Sequence, residues 1–212
     1  MKNFSIEHPF FEFMGNIGDM IILNVLFFVT SLPVVTLGTT LTAMYKVALR
    51  RVRGEGRYVA REYFQACREE WKQSTKLGLF FLITGGILLF DVLYGKNLWK
   101  SLNVAIGVLV VLWCFTITYA FPLQARFQNS TRNTLRNALF LAFRNFPATL
   151  VMVVLNGIPA VCVIAGAFTT MAAMPIFCMV GFSLTAWINS LFLTRIFQGL
   201  MEQEGKDENT AG

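Results

Sequence analysis

Few residues in this chain can do chemistry, and they are scattered. His8 is the single histidine, and it stands beside Pro9 near the start. A lone histidine supplies neither a metal site nor a nucleophile–base relay. The four cysteines are Cys67, Cys114, Cys162 and Cys178. They form no C-x-x-C pair, and three lie in long apolar stretches. There they read as small buried hydrophobes rather than a disulfide framework or a metal site. The sequence contains no G-x-S-x-G elbow, no H-E-x-x-H pair and no phosphate-binding loop of the G-x-x-x-x-G-K-[ST] type. The expectation is a protein that is not an enzyme and needs no cofactor.

The remaining candidates are of two kinds. Asn24, Thr84, Asn156 and Asn189 sit deep in apolar stretches, where amides and hydroxyls bond helix to helix or touch a ligand. Asp19 and Asp91 are expected near the outer ends of two spans. The absence of a charge at mid-membrane argues against an ion pump or proton-coupled carrier, which need such groups. The second kind is a set of breaks and polar-segment residues: Pro33, Thr36 and Gly38, then Arg53-Gly54-Glu55, then Phe64, Trp71 and Lys72.

The elements that carry these residues follow from where charge is missing. The chain has 212 residues, 55% hydrophobic and only 14% charged. A soluble domain carries charge at about a quarter of its positions. Between Asp19 and Lys46 lie 26 residues without charge, between Lys100 and Arg126 25, and between Arg144 and Arg195 50. A bilayer core of about 30 Å takes about 20 apolar helical residues. The expected fold is therefore all-α: a polytopic transmembrane bundle of about five spans, at 18–37, 77–94, 102–121, 147–168 and 176–197. Residues 1–17 form an amphipathic leader, with Phe10, Phe13, Met14, Ile17 and Ile21 on one helical face. A helical hairpin at 39–76 joins spans 1 and 2 on the cytoplasmic side. A second basic segment runs 124–144, and a disordered tail 199–212. Pro33 ends the first span near Ser31, Pro122 closes the third and Pro159 kinks the fourth.

In the hairpin's second helix, Val59, Ala60, Tyr63, Phe64, Cys67 and Trp71 share one arc at ~100° per residue. Arg57, Arg61, Arg68 and Lys72 flank it, with Glu62, Glu69 and Glu70 beyond. Such a helix suits a membrane surface or a partner protein. Fifteen of the eighteen lysines and arginines fall in the two basic segments and the C-terminal end. The positive-inside rule puts that side in the cytoplasm. A cell-membrane protein results, with a cytoplasmic C-terminus. Its N-terminus is expected outside, with span 1 a full crossing; it would be inside only if 32–38 turns back. The net charge of +6 reflects that topology and attraction to anionic lipid headgroups, with no nucleic acid.

The stretch Ser31-Leu32-Pro33-Val34-Val35-Thr36-Leu37-Gly38 is specific. It continues through Thr40-Leu41-Thr42-Ala43-Met44-Tyr45, Val52-Arg53-Gly54-Glu55, Tyr63-Phe64 and Trp71-Lys72-Gln73-Ser74-Thr75. It resembles the YesL-like family of bacterial membrane proteins. The resemblance implies a multi-span protein of unknown activity, with genes near those for carbohydrate ABC importers, and carries no catalytic or ligand residues. Two functional expectations follow. One is an accessory or regulatory protein docked on another complex, such as importer subunits. The other is a small stand-alone transporter or channel, a homo-oligomer, using the Pro33–Gly38 break, the Pro159 kink, Asn24, Asn156 and Asn189.

Overall fold

A computed structural model describes residues 8–56, 58–94, 100–127, 129–166, 171, 175 and 177–210. Arg57, Lys96 and most of the turn expected at 171–174 lie outside them. Among the described residues seven α-helices follow in order: α1 (His8–Ser31), α2 (Leu37–Val52), α3 (Val59–Tyr94), α4 (Lys100–Arg126), α5 (Thr131–Arg144), α6 (Phe146–Ile164) and α7 (Phe182–Thr210). A 3₁₀ turn, Val34–Thr36, joins α1 to α2, and a π-turn, Phe177–Gly181, leads into α7.

Proline sets the first boundary. Helix α1 stops at Ser31, two residues before Pro33, and the chain reverses. The Thr36 hydroxyl donates to the carbonyls of Thr30 and Pro33, both at 2.6 Å, which holds the reversal shut. Helix α2 then runs back along α1. Asp19 forms an ion pair with Arg51, and Leu23 faces Val47 and Ala48 across a shared pocket. So Asp19, expected at an outer helix end, instead lies level with the basic end of α2.

Helix α2 is the centre of the bundle. Ten of its sixteen residues are buried, among them Gly38, Thr39, Thr42, Ala43 and Val47. Small residues let neighbouring backbones approach closely, and at Gly38 they nearly touch. A β-carbon there would stand 2.6 Å from the Gly78 Cα. Thr39 and Thr75 hydroxyls bond at 3.0 Å beside the crossing. The hairpin expected at 39–76 exists as α2 and the start of α3, but α2 is wrapped by α1, α3, α4 and α7 rather than lying free on a surface.

The expected second hairpin helix and span 2 are one unbroken helix, α3, of 36 residues. At 1.5 Å per residue it is about 54 Å long, well beyond a bilayer core. No glycine or proline interrupts 57–76, so nothing stops the helix before the apolar run. Its outer half is bare: Ile83, Ile87, Phe90 and Leu93 are exposed, as are Val104, Val108 and Val111 of α4. The two helices meet where Trp113 covers Gly85 and donates to the Thr84 hydroxyl at 3.0 Å.

Pro122 does not close α4, which continues to Arg126. Burial of Tyr119, Ala120, Phe121 and Leu123 offsets the lost hydrogen bond, about 3 kcal/mol in an interior turn. Helix α5 climbs along α4, and α6 leaves it at 109°. Helix α7 passes through the expected tail to Thr210.

Among the described residues, three helices are long and apolar enough to cross a membrane: α3, α4 and α7 with its π-turn. The bent α5–α6 pair would make a fourth. The apolar part of α1, Ile17–Ser31, is shorter. The multi-span helical architecture therefore stands, and the count of about five is approximate: by length and apolarity, three of the described helices, or four with the bent pair, could cross a bilayer. The shorter apolar elements are α1, cut by Pro33, and α6, which ends at Ile164.

Candidate functional site

The C-terminal end of α2 is built by its sequence. Gly54 has φ +73°, the left-handed conformation that glycine adopts without a β-carbon penalty. The Gly54 N–H donates to Arg51 O and the Glu55 N–H to Arg50 O, both at 3.0 Å. That pair of bonds is a Schellman motif, which satisfies the last helical carbonyls. It also throws Glu55 back over the helix end. Arg53 grips the Glu55 carboxylate in a bidentate pair, at 3.0 Å from Nε and 2.8 Å from Nη2. Such forked pairs are the stronger kind.

Glu55 forms the rim of a cleft of about 280 Å³, lined also by Lys46, Arg50, Arg53, Glu70, Gln124 and Arg126. The arginines draw the Glu55 carboxyl below the usual range, first through its Arg53 hydrogen bonds and then through the charges of Arg53, Arg126 and Arg50. Deeper in, Lys46 Nζ donates to Glu69 at 2.9 Å and to Glu70 at 3.0 Å. Glu70 is buried and accepts from Gln124 Nε2 at 3.2 Å. Gln124 Oε1 in turn accepts from the Thr134 hydroxyl at 3.3 Å. This buried chain ties α2, α3, α4 and α5 together and gives Glu70 the partners that a buried carboxylate needs.

The sequence candidates fall into three separate places. Pro33 is exposed in the reversal, Thr36 closes it and Gly38 is the α2–α3 crossing. Arg53, Gly54 and Glu55 sit about 24 Å away at the other end of α2, by helix rise. Phe64, Trp71 and Lys72 lie on an exposed face of α3, around a shallow depression shared with Cys67, Arg68 and Glu69. The expected apolar arc is thus split. Val59 and Tyr63 are core, whereas Ala60, Phe64 and Trp71 face outward. Glu70, expected on the charged outer arc, is in the core. Its signal was the stripe Val59, Tyr63, Ala66, Glu70, Ser74, Leu77 and Phe81, which is the buried face.

Asn24 is fully buried. Its amide donates to Phe177 O at 3.2 Å and its oxygen accepts from Ser183 N–H at 3.0 Å, fastening α1 to the start of α7. Asn189 donates to the Tyr45 hydroxyl at 3.1 Å and to Asn156 Oδ1 at 2.9 Å. Asn156 reaches the Thr118 hydroxyl at 3.5 Å. Tyr45, Thr118, Asn156 and Pro159 line a second, largely apolar cavity of about 430 Å³.

Residues 20–92 match a family described as a protein of unknown function, DUF624. The chain is also similar to the uncharacterized protein YesL of Bacillus subtilis (strain 168), 28% identical over 134 residues. That match covers 62% of this chain and 64% of the relative, so it spans a little under two thirds of the relative's length. No solved structure matches. The matched region begins within α1 and takes in the reversal, α2, the Arg53-Gly54-Glu55 turn and most of α3.

Proposed function

We propose that this YesL-like protein is an accessory or regulatory component of the cell membrane that docks on another membrane complex, with subunits of a carbohydrate ABC importer as the partner class. The chain is YesL-like and α-helical with several apolar helices; the importer context rests on the resemblance alone. One observation carries the docking reading. Phe64 and Trp71 are about half exposed on α3 between Arg68 and Lys72. Exposed aromatic and basic side chains together are the usual anchors of protein interfaces. The same rigid helix continues into the apolar half, so a contact made there is coupled to the bilayer-facing surface.

In this reading the protein has no enzymatic role. The end that gathers Arg50, Arg51, Arg53 and Arg126 faces the cytoplasm, as basic residues favour. The Asp19–Arg51 pair supports a re-entrant α1–α2 hairpin, with α1 starting on that same side. Affinity purification from native membranes in mild detergent tests the docking reading. Importer subunits should co-purify with the wild type and be lost with Trp71→Ala and Phe64→Ala. Recovery of the wild type without them would refute it.

A second reading, a small stand-alone transporter or channel acting as a homo-oligomer, is favoured by the 430 Å³ cavity. Its apolar walls carry a few convergent polar groups, the usual make-up of a small-molecule site. Sugar flux into liposomes holding the pure protein, reduced by Asn156→Ala, would support it. No flux would leave the docking reading alone.

A further inference from the structure

The cleft at the end of α2 has more cationic charge than its own carboxylates neutralise. Lys46, Arg50, Arg53 and Arg126 line it, against Glu55 and Glu70. Glu70 is committed inward, to Lys46 and Gln124. Among the described residues, Arg50 and Arg126 form no ion pair. Three guanidinium groups therefore line one cleft together with a buried amide, Gln124. Guanidinium forks match the oxygens of phosphate and carboxylate.

Among the described residues, Glu55 is the carboxylate bound to those guanidiniums that can leave. Its carboxylate is held bidentately by Arg53 and feels Arg50 and Arg126. Its side chain is nevertheless more than half exposed, and it stands on a two-bond turn at a glycine hinge. It fills the position that a ligand oxyanion would take. With Glu55 swung away, the four cations face Glu70 and, through Lys46, Glu69, a surplus of two. A phosphate group, which carries up to two charges on three terminal oxygens, suits that surplus better than a single carboxylate does.

We propose that this cleft is an oxyanion site for a phosphate group, and that Glu55 is its tethered occupant, displaced when the phosphate binds. The volume of about 280 Å³ fits a phosphate and a small substituent. The group comes either from solution or from a lipid headgroup, because the cleft opens at the basic end of helices whose other halves are apolar. The proposal is independent of any docking partner. It also gives the Arg53-Gly54-Glu55 turn a role beyond ending a helix.

The test uses the full chain in a neutral detergent. Thermal unfolding is followed as inorganic phosphate replaces chloride at constant ionic strength. The same measurement is made in nanodiscs of phosphatidylcholine with and without phosphatidate. One or both phosphate sources should stabilise the wild type, and the source that does so identifies the ligand. Glu55→Gln removes the competitor and should tighten phosphate binding by about threefold to tenfold, as for loss of one partly exposed charge contact. Arg50→Gln and Arg126→Gln should abolish the effect, while Arg61→Gln, exposed and outside the cleft, should leave it unchanged. Failure of both sources to stabilise wild type and Glu55→Gln would overturn the proposal. So would a Glu55→Gln protein that binds phosphate no better than wild type, whatever the arginine variants do to folding. An equal loss with Arg61→Gln would show diffuse charge attraction and would also overturn it.

Discussion

Alanine at Gly38 should separate the two central helices. A β-carbon at this position would stand 2.6 Å from the Gly78 Cα and 2.9 Å from its nitrogen. Carbon atoms in contact prefer about 3.5–4.0 Å, so α2 and α3 must part by about 1 Å. The Ser74 carbonyl oxygen is closer still, all three opposing atoms are backbone, and no side-chain rotation relieves them. Overpacking of this kind costs about 1–3 kcal/mol. The Thr39–Thr75 hydrogen bond beside the crossing, 3.0 Å now, is stretched as well, a further loss of about 1 kcal/mol. Alanine regains about 1 kcal/mol of helix propensity. The net expectation is a destabilisation of about 1–3 kcal/mol for Gly38→Ala, and a similar value for Gly78→Ala. The double variant should cost less than the sum, because the first methyl has already opened the crossing. Gly86, on the exposed side of α3, has no atom within 4 Å of its would-be β-carbon. Gly86→Ala should therefore be neutral or slightly stabilising. The assay is equilibrium unfolding in mixed micelles, read by tryptophan fluorescence. A Gly38→Ala protein as stable as Gly86→Ala would refute the close crossing.

Four further outcomes are expected. Asn24→Leu strands the Ser183 N–H and the Phe177 carbonyl and should cost about 2–4 kcal/mol in the same unfolding assay. Lys46→Met leaves Glu70 buried without its cation and should cost about 3–5 kcal/mol, part of which Glu70→Leu in the same chain should restore. Gly54→Ala forces a β-carbon into the left-handed conformation and should cost about 1–2 kcal/mol, lowering the melting temperature. The Glu55 carboxyl is lowered by Arg53, and by the charges of Arg126 and Arg50. Its stabilisation is therefore fully present above the unfolded-state value of about 4.3 and is lost only as pH falls through the lower folded value. Melting temperatures of wild type and Glu55→Gln should accordingly differ at neutral pH and converge only in that acid window.

The long charge-free runs made the apolar helices legible, because nothing but a bilayer or a large core accommodates them. Pro33 was legible too, since its effect on the preceding residues is local. What the sequence hid was tertiary. Lys46, Arg50 and Arg51 made α2 look like a solvated cytoplasmic helix. Its Gly38, Thr39, Thr42, Ala43 and Ala48 were the better guide, because small side chains mark close helix contacts. Glu70 looked like one of three outward acids, and only its place on the buried stripe of α3 distinguishes it from Glu69. The Arg53-Gly54-Glu55 turn stands out in the sequence as a motif. Its meaning depended on Arg126, 71 residues after Glu55 and brought beside it by an α4 that runs through Pro122. Asn24, Asn156 and Asn189 act as interhelical bonds, as their depth in apolar stretches implied. That Asn156 borders a cavity with Tyr45 was not visible from spacing.

The most direct test of the architecture is the sidedness of α1. Single cysteines at Gly15, Tyr94 and Arg132, each exposed, are introduced after the native cysteines are replaced. They are then labelled with a membrane-impermeant maleimide on intact cells and on inside-out vesicles. If the chain doubles back at Pro33, Gly15→Cys and Arg132→Cys react only in the inside-out vesicles, and Tyr94→Cys reacts on intact cells. Labelling of Gly15→Cys on intact cells while Arg132→Cys stays protected would contradict the re-entrant hairpin and return α1 to a full crossing.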